Sequence, residues 1–214
     1  MIQNLTIVVV DDHPILLKGL IDELKSYDYN VVAEAENGAQ ALDRIIDLKP
    51  SIAILDIELP LLSGFEIIQK CQEESPNTKF IILTSFKEKS FVLKAQKLNI
   101  SGYILKDEPF IELHNCIQKV SKGESYFSKS FNEILTNEIA PEIEKMKFLS
   151  PSERTIVRMV ASGKTSKEIG ESLSISNRTV EKHRSNIINK LDLPHQGDAL
   201  VVWAKEHKEL ILSI

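Results

Sequence analysis

The chain has 214 residues, 43% of them hydrophobic and 27% charged, proportions of an ordinary folded protein that exclude a disordered or low-complexity one. That length suits one large domain or two smaller ones, each able to bury a core. The net charge of −5 hides an asymmetry: residues 1–122 carry 13 Lys and Arg against 18 Asp and Glu, residues 123–147 carry 3 against 5, and residues 148–214 carry 10 against 8.

The opening stretch MIQNLTIVVVDD lacks a basic segment, a long apolar core and a small-residue cleavage site. No apolar run in the chain approaches the ~18 residues of a membrane span. The expected location is cytoplasmic, with no membrane partner. Strands are predicted at 5–10, 30–35, 51–55, 79–84 and 101–105, where short apolar runs stand. Helices are predicted in LLKGLIDELKSY, AQALDRIIDL, GFEIIQKCQEE and SFVLKAQKL between them, and in FIELHNCIQKVSKG after the last, from apolar residues near a 3.6 period. The alternation predicts a doubly wound α/β domain over residues 1–122, a five-stranded parallel sheet covered on both faces. Ser63 with Glu66 and Ser85 with Glu88 have capping-box spacing and mark two helix starts. Cys71 and Cys116 lie in unrelated amphipathic segments without a CxxC spacing and read as buried free thiols.

In such sheets ligands bind beyond the carboxyl ends of the strands, where the strand order reverses. Asp11 and Asp12 end the first predicted strand, Asp56 the third, Thr84 the fourth and Lys106 the fifth. Clustered carboxylates repel each other, and a hard cation such as Mg²⁺ held through their oxygens neutralises them. With the metal on Asp11 and Asp12, Asp56 can be the nucleophile toward a phosphoryl group, because the metal and the Lys106 ammonium offset charge on the transferring oxygens. Thr84 can then donate its hydroxyl to the new phosphate. Each of these residues alone reads as a cap or a solvated turn; five at the ends of four strands in order point to one pocket. His13 precedes Pro14, which favours a first helical turn, so it reads as a helix-start residue. The other histidines show no ligand spacing, and zinc is not indicated.

Residues 1–122 resemble a bacterial response-regulator receiver domain, which has a flavodoxin-like fold. The matching pieces are VVVDDHP, LDIELPLLSG, LTS and SGYILKD. The resemblance implies Mg²⁺ on Asp11 and Asp12, phosphorylation of Asp56 by a histidine kinase, and sensing of the phosphate by Thr84 and Lys106. It also implies the backbone carbonyl of Glu58 as a further metal ligand beside Asp56, and Tyr103 as an aromatic switch that turns inward. Leu59 stands where methionine is common, and Glu58 and Phe86 border the path of the hydrolytic water. Such a protein accepts a phosphoryl group and slowly loses it without being a turnover enzyme. A haloacid-dehalogenase-like phosphatase also uses an aspartate and Mg²⁺, but wants an aspartate where Glu58 stands. A flavodoxin-like redox carrier needs a phosphate-cradling loop where this chain puts Asp11 and Asp12.

Residues 123–147 are acidic, weakly amphipathic and interrupted by Pro141, a linker with some helix of its own. Residues 148–214 form short helices with clear starts: Ser150 with Glu153 and Thr165 with Glu168 are capping boxes, and Ser176 caps a third helix over 177–190. Within 148–191 the balance is 8 basic to 4 acidic, which favours a nucleic-acid partner. At ~100° per residue the third helix gathers Arg178, Lys182, Ser185 and Asn189 opposite Val180, Ile187 and Leu191. Thr179, His183 and Asn186 flank that polar face and are placed to reach phosphates.

Residues 149–193 resemble the LuxR-type helix-turn-helix. The match runs through Glu153, Gly163, Lys167-Glu168-Ile169, Leu173, Ser176, Thr179-Val180, His183, Ile187 and Lys190-Leu191; Gly170 replaces a usual alanine. The order of the two domains is that of the NarL/FixJ class of response regulators, which implies promoter DNA as a partner. One recognition helix reads only a few base pairs, so a homodimer on paired half-sites is expected on phosphorylation. Apolar residues at 199–204 and 210–212 predict a fourth helix that carries the dimer contact.

Overall fold

A computed structural model of the protein describes residues 5–74 and 77–213. Two compact units divide it, one ending at Glu133 and the other beginning at Ile134. The first unit alternates β1 (Thr6–Val10), α1 (Pro14–Ser26), β2 (Asn30–Ala35), α2 (Gly38–Leu48), β3 (Ile52–Leu55), α3 (Gly64–Glu74), β4 (Lys79–Thr84), α4 (Lys89–Lys97), β5 (Gly102–Leu105) and α5 (Phe110–Ser121). It then adds β6 (Tyr126–Phe127) and the start of α6 (Lys129–Ile134).

All strands pair in parallel, in the order β2-β1-β3-β4-β5-β6. Strands β3 and β5 are buried along their whole length, whereas β2, nearest the edge, is mostly open to solvent. Ile7, Val9, Ile52, Ile54, Ile81 and Ile104 of the sheet pack with Leu17, Ile21 and Leu24 of α1 and Leu113 and Ile117 of α5. Burying each such side chain contributes about 1.5–3 kcal/mol relative to exposure.

Among the described residues the sheet has six strands, which corrects the expected five. The sixth is two residues long, too short for an alternating pattern, and lies in a segment whose composition reads as linker. It is held by its register on β5, Gly102↔Tyr126 and Tyr103↔Phe127, and the Tyr126 hydroxyl donates to Glu112 of α5. The first unit therefore runs past Lys122. A second correction concerns Ser85 and Glu88: α4 begins at Lys89 with no side-chain cap. The Phe86 N–H already donates to Thr84 Oγ1 at 3.3 Å and its carbonyl accepts the Tyr103 hydroxyl at 2.9 Å, so the backbone stays non-helical there.

In the second unit a π-helical stretch, Leu135–Ile139, leads into α7 (Ala140–Lys147), α8 (Pro151–Ala161), α9 (Ser166–Leu173), α10 (Asn177–Lys190), α11 (Ala199–Glu206) and α12 (Lys208–Ser213). The widening precedes Pro141, which has no N–H to give the preceding turn and crowds its carbonyl. Both predicted capping boxes form, and the Ser176 hydroxyl accepts the Thr179 N–H at 3.1 Å. A Cβ on Gly170 would come within 2.9 Å of the Ile175 carbonyl, so this turn closes on a glycine for want of space.

The expected fourth helix is two, broken at His207, whose Nδ1 lies 2.9 Å from the Trp203 carbonyl. Its apolar side is mostly covered: Leu200, Trp203, Ala204, Leu210 and Ile211 are buried with Ile156, Val160 and Ile187, and Val202 and Leu212 stay exposed.

Candidate functional site

Hydrogen bonds across the sheet pin the strand ends that carry the polar residues. The Asp11 N–H donates to Ala35 at 3.2 Å, the Asp56 N–H to Val10 at 3.0 Å and the Lys106 N–H to Thr84 at 2.8 Å. Asp11 and Asp56 are 3% and 5% exposed, and Thr84 is fully buried. The site sits where β1 has β2 on one side and β3 on the other, the reversal of strand order.

Lys106 Nζ lies 2.6 Å from Asp11 Oδ2 and 2.6 Å from Asp56 Oδ2. Burial works against its charge, but the two carboxylates outweigh burial and hold its pKa above the ordinary lysine value. Asp56 Oδ1 accepts the Ile57 N–H at 2.6 Å. Asp11 Oδ1 accepts the His13 N–H at 3.0 Å. Asp12 Oδ1 lies 2.9 Å from His13 Nδ1, yet the pair is not aligned as a hydrogen bond and this buried oxygen has no donor. One ammonium faces three carboxylates, so the pocket remains anionic. Among the described residues, Asp11, Asp12, His13 and Asp56 bring ligand-capable atoms within 4.8 Å of one another. An anionic group of oxygens with an unpaired buried member fits a divalent cation.

His13 is the N-cap residue of α1, as its place before Pro14 suggests, but its side chain makes no cap bond. The ring turns instead to the acidic group, which spacing alone does not reveal. Glu58 is exposed and lines, with Asp12, Pro60, Ser63 and Phe91, a cavity of about 440 Å³. Gly64 packs against the backbone of Asp56, a relationship its sequence position does not announce. A Cβ there would meet the Asp56 carbonyl oxygen at 2.2 Å, and the Gly64 N–H donates to Ile57 at 2.9 Å. Helix α3 thus starts against the backbone of Asp56 only because residue 64 has no side chain.

Tyr103 is 1% exposed, with its ring inward and its hydroxyl on the Phe86 carbonyl. Burial pushes its pKa up. Cys71 and Cys116 are free and buried; burial pushes their thiols up to about 11 and about 12, which leaves neither a thiolate near neutral pH.

In the second unit, Arg178, Lys182, Ser185, Asn186 and Asn189 are exposed on α10, Thr179 and His183 are half-buried, and Val180 and Ile187 face the core. The Thr179 hydroxyl is engaged with Ser176 Oγ at 2.8 Å. Glu153, 3% exposed, bonds Lys190 at 2.7 Å and so ties the first turn of α8 to the last turn of α10. Burial opposes its charge, but hydrogen bonds from Lys190 and Ser150 outweigh burial and lower its pKa.

No helix among the described residues is long and apolar enough to cross a membrane. Residues 7–118 match the response regulator receiver domain family, and residues 147–203 match the luxR family of bacterial regulatory proteins. The oxygen regulatory protein NreC of Staphylococcus epidermidis is 33% identical over 215 aligned positions, covering 95% of this chain and 98% of that protein. The structure of the two-component response regulator RcsB with DNA aligns over 95% of this chain and 98% of that one, with 25% identity and a TM-score of 0.65. A LuxR-family DNA-binding response regulator from Staphylococcus aureus aligns over 54% of this chain and 98% of its own, with 30% identity and a TM-score of 0.53. The chain belongs to the two-component response regulators of the NarL/FixJ class, phosphorylation-responsive DNA-binding transcription regulators built from a receiver domain and a LuxR-type helix-turn-helix.

Proposed function

We propose that a histidine kinase phosphorylates Asp56 and that Mg²⁺ held by Asp11, Asp12, Asp56 and the Glu58 carbonyl supports the transfer. The observation that carries this reading is the placement of Lys106 2.6 Å from both Asp56 and Asp11 in a buried acidic group. An Asp56 carboxylate oxygen attacks phosphorus, the P–N bond of the donor phosphohistidine breaks, and an acyl phosphate forms. The cation, when bound, offsets charge on the transferring oxygens. Lys106 shares that task, and Thr84 donates its hydroxyl to the phosphate while Tyr103 stays inward.

The exposed face of α10 then reads the major groove through Arg178, Lys182, Ser185 and Asn189, with Thr179, His183 and Asn186 toward phosphates. Two copies bind as a dimer on paired half-sites about one DNA turn apart. Residues 148–214 form the DNA-binding part and 1–122 the body of the receiver, with 123–147 as the connection, whose first residues add β6 to the receiver's sheet, and the protein works in the cytoplasm, where kinase and promoter are both reached. A small phosphodonor such as acetyl phosphate, with Mg²⁺, tests the acceptor: one label per chain is expected on the wild type and none on Asp56→Asn. Stoichiometric labelling of Asp56→Asn removes the assignment.

A further inference from the structure

The segment after α5 is packed onto Tyr103 as one piece with it. Ser128 is fully buried; its N–H donates to the Tyr103 carbonyl at 3.0 Å, and its hydroxyl accepts the Phe131 N–H at 3.4 Å as α6 begins. That turn sets Phe131, itself 1% exposed, against the Tyr103 ring with centroids 4.9 Å apart, and Phe127 stacks on Phe131 at 4.7 Å. The Ser130 hydroxyl donates to Glu108 Oε1 at 3.3 Å, and Glu108 Oε2 accepts the Leu105 N–H at 3.0 Å, one residue before Lys106. At its other end Tyr103 reaches the Phe86 carbonyl, and the Phe86 N–H reaches Thr84 Oγ1.

Contacts thus run unbroken from Thr84 through Phe86 and Tyr103 to Phe131. Cores are close-packed, so an outward Tyr103 leaves Phe131 facing a void the size of a ring, and an undocked Phe131 leaves Tyr103 the same. Each arrangement favours the other. From Phe131 the chain stays helical through the π stretch to Lys147, so the docked piece is also the start of the connection to the second unit.

We propose that Phe131 is a positioning residue for the phosphorylation switch: it holds Tyr103 inward, and docking of residues 126–131 is thereby coupled to phosphorylation of Asp56. The proposal rests on the reading of Asp56 as phosphoacceptor. Coupling of two equilibria is reciprocal, so a phosphate that strengthens docking is itself bound more tightly by the docked chain, by the same factor.

Hydrogen exchange on the full chain, with and without beryllofluoride and Mg²⁺, tests this beside beryllofluoride titrations. In the wild type the amides of Ser128, Phe131 and Asn132 should gain protection when beryllofluoride binds. Phe131→Ala should abolish that gain and weaken beryllofluoride binding on the order of 10-fold, and Phe131→Leu, which keeps apolar volume and loses the ring, should fall between. A purely structural Phe131 would lose protection equally with and without the mimic at unchanged beryllofluoride affinity, and that result overturns the proposal. Asp56-dependent binding that leaves the 126–131 amides of the wild type unmoved sinks the coupling alone. Binding that is unaffected by Asp56→Asn takes the acceptor reading down with it.

Discussion

The Lys106 ammonium stands 2.6 Å from Asp56 Oδ2 and at the same distance from Asp11 Oδ2. A single cation on a flexible stem therefore already offsets part of the negative charge that would attract a divalent ion, and it stands within reach of a phosphoryl group on Asp56. Removing it should help the ion and harm the response.

Lys106→Met is expected to bind Mg²⁺ on the order of 10-fold more tightly, since a competing positive charge leaves a low-dielectric pocket. It should also lose the phosphate-driven gain in DNA affinity. Calorimetric Mg²⁺ titration checks the first effect, and unchanged or weaker binding contradicts it. Because the folded pKa of Lys106 is raised from 10.5, its contribution is fully present below that pH and is lost only as pH rises through the higher folded value.

Gly64→Ala should slow labelling of Asp56 by on the order of 10²-fold, the usual effect of an ångström-scale displacement of a reacting group. The added Cβ starts 2.2 Å from the Asp56 carbonyl oxygen, and backbone must shift. Single-turnover labelling with acetyl phosphate measures the rate; an unchanged rate in a folded variant shows that the loop absorbs the methyl group elsewhere.

Much of this site was legible in the sequence, and its limits have physical causes. The grouping of Asp11, Asp12, Asp56 and Lys106 is legible because they stand at the ends of apolar runs, and a parallel sheet brings strand ends together whatever the side-chain detail. Helix α10 is found at 177–190 because Ser176 caps it and its period is clean. The close approach to the Asp56 backbone that only Gly64 permits and the pairing of β6 on β5 escape notice because each depends on a contact between separate segments of the chain, with no local pattern to announce it. The turn of the His13 ring toward its neighbours Asp11 and Asp12 escapes notice because a rotamer choice leaves no mark on residue spacing. The Ser85–Glu88 spacing misleads in the opposite way: a valid cap signal loses to Phe86, whose N–H and carbonyl are taken by Thr84 and Tyr103.

Glu153→Ala should lower the stability of the second unit by about 1–3 kcal/mol, through loss of the capping box and of a charged hydrogen bond. Trp203 is the only tryptophan in the chain and is buried in that unit, so its fluorescence during urea unfolding reports the change. The folded pKa of Glu153 is depressed below 4.5, so its ionised contribution is complete above that pH and is lost as pH falls through the lower folded value. The gap between wild type and Glu153→Ala should therefore narrow in acid and hold steady at neutral pH.

Lys182→Ala should weaken DNA binding. A base-edge contact predicts a loss of about 1–3 kcal/mol with relaxed specificity at one position, whereas a phosphate contact predicts uniform weakening and a shallower salt dependence. Fluorescence anisotropy on cognate and scrambled duplexes at several salt concentrations separates the two. Equal affinity of variant and wild type in all of them would take this face of α10 out of the groove.

The central claim, that a phosphoryl group on Asp56 controls DNA binding, is tested most directly on one sample with two readouts. The full chain is incubated with acetyl phosphate and Mg²⁺, its phosphoryl content is read by intact mass, and its affinity for a duplex selected from genomic fragments is measured at once, beside Asp56→Asn treated alike. The expected result is one phosphoryl group per wild-type chain with at least about a 10-fold gain in affinity, equivalent to about 1.4 kcal/mol, and neither change in Asp56→Asn. Full phosphorylation of Asp56 with no change in DNA affinity would contradict the account.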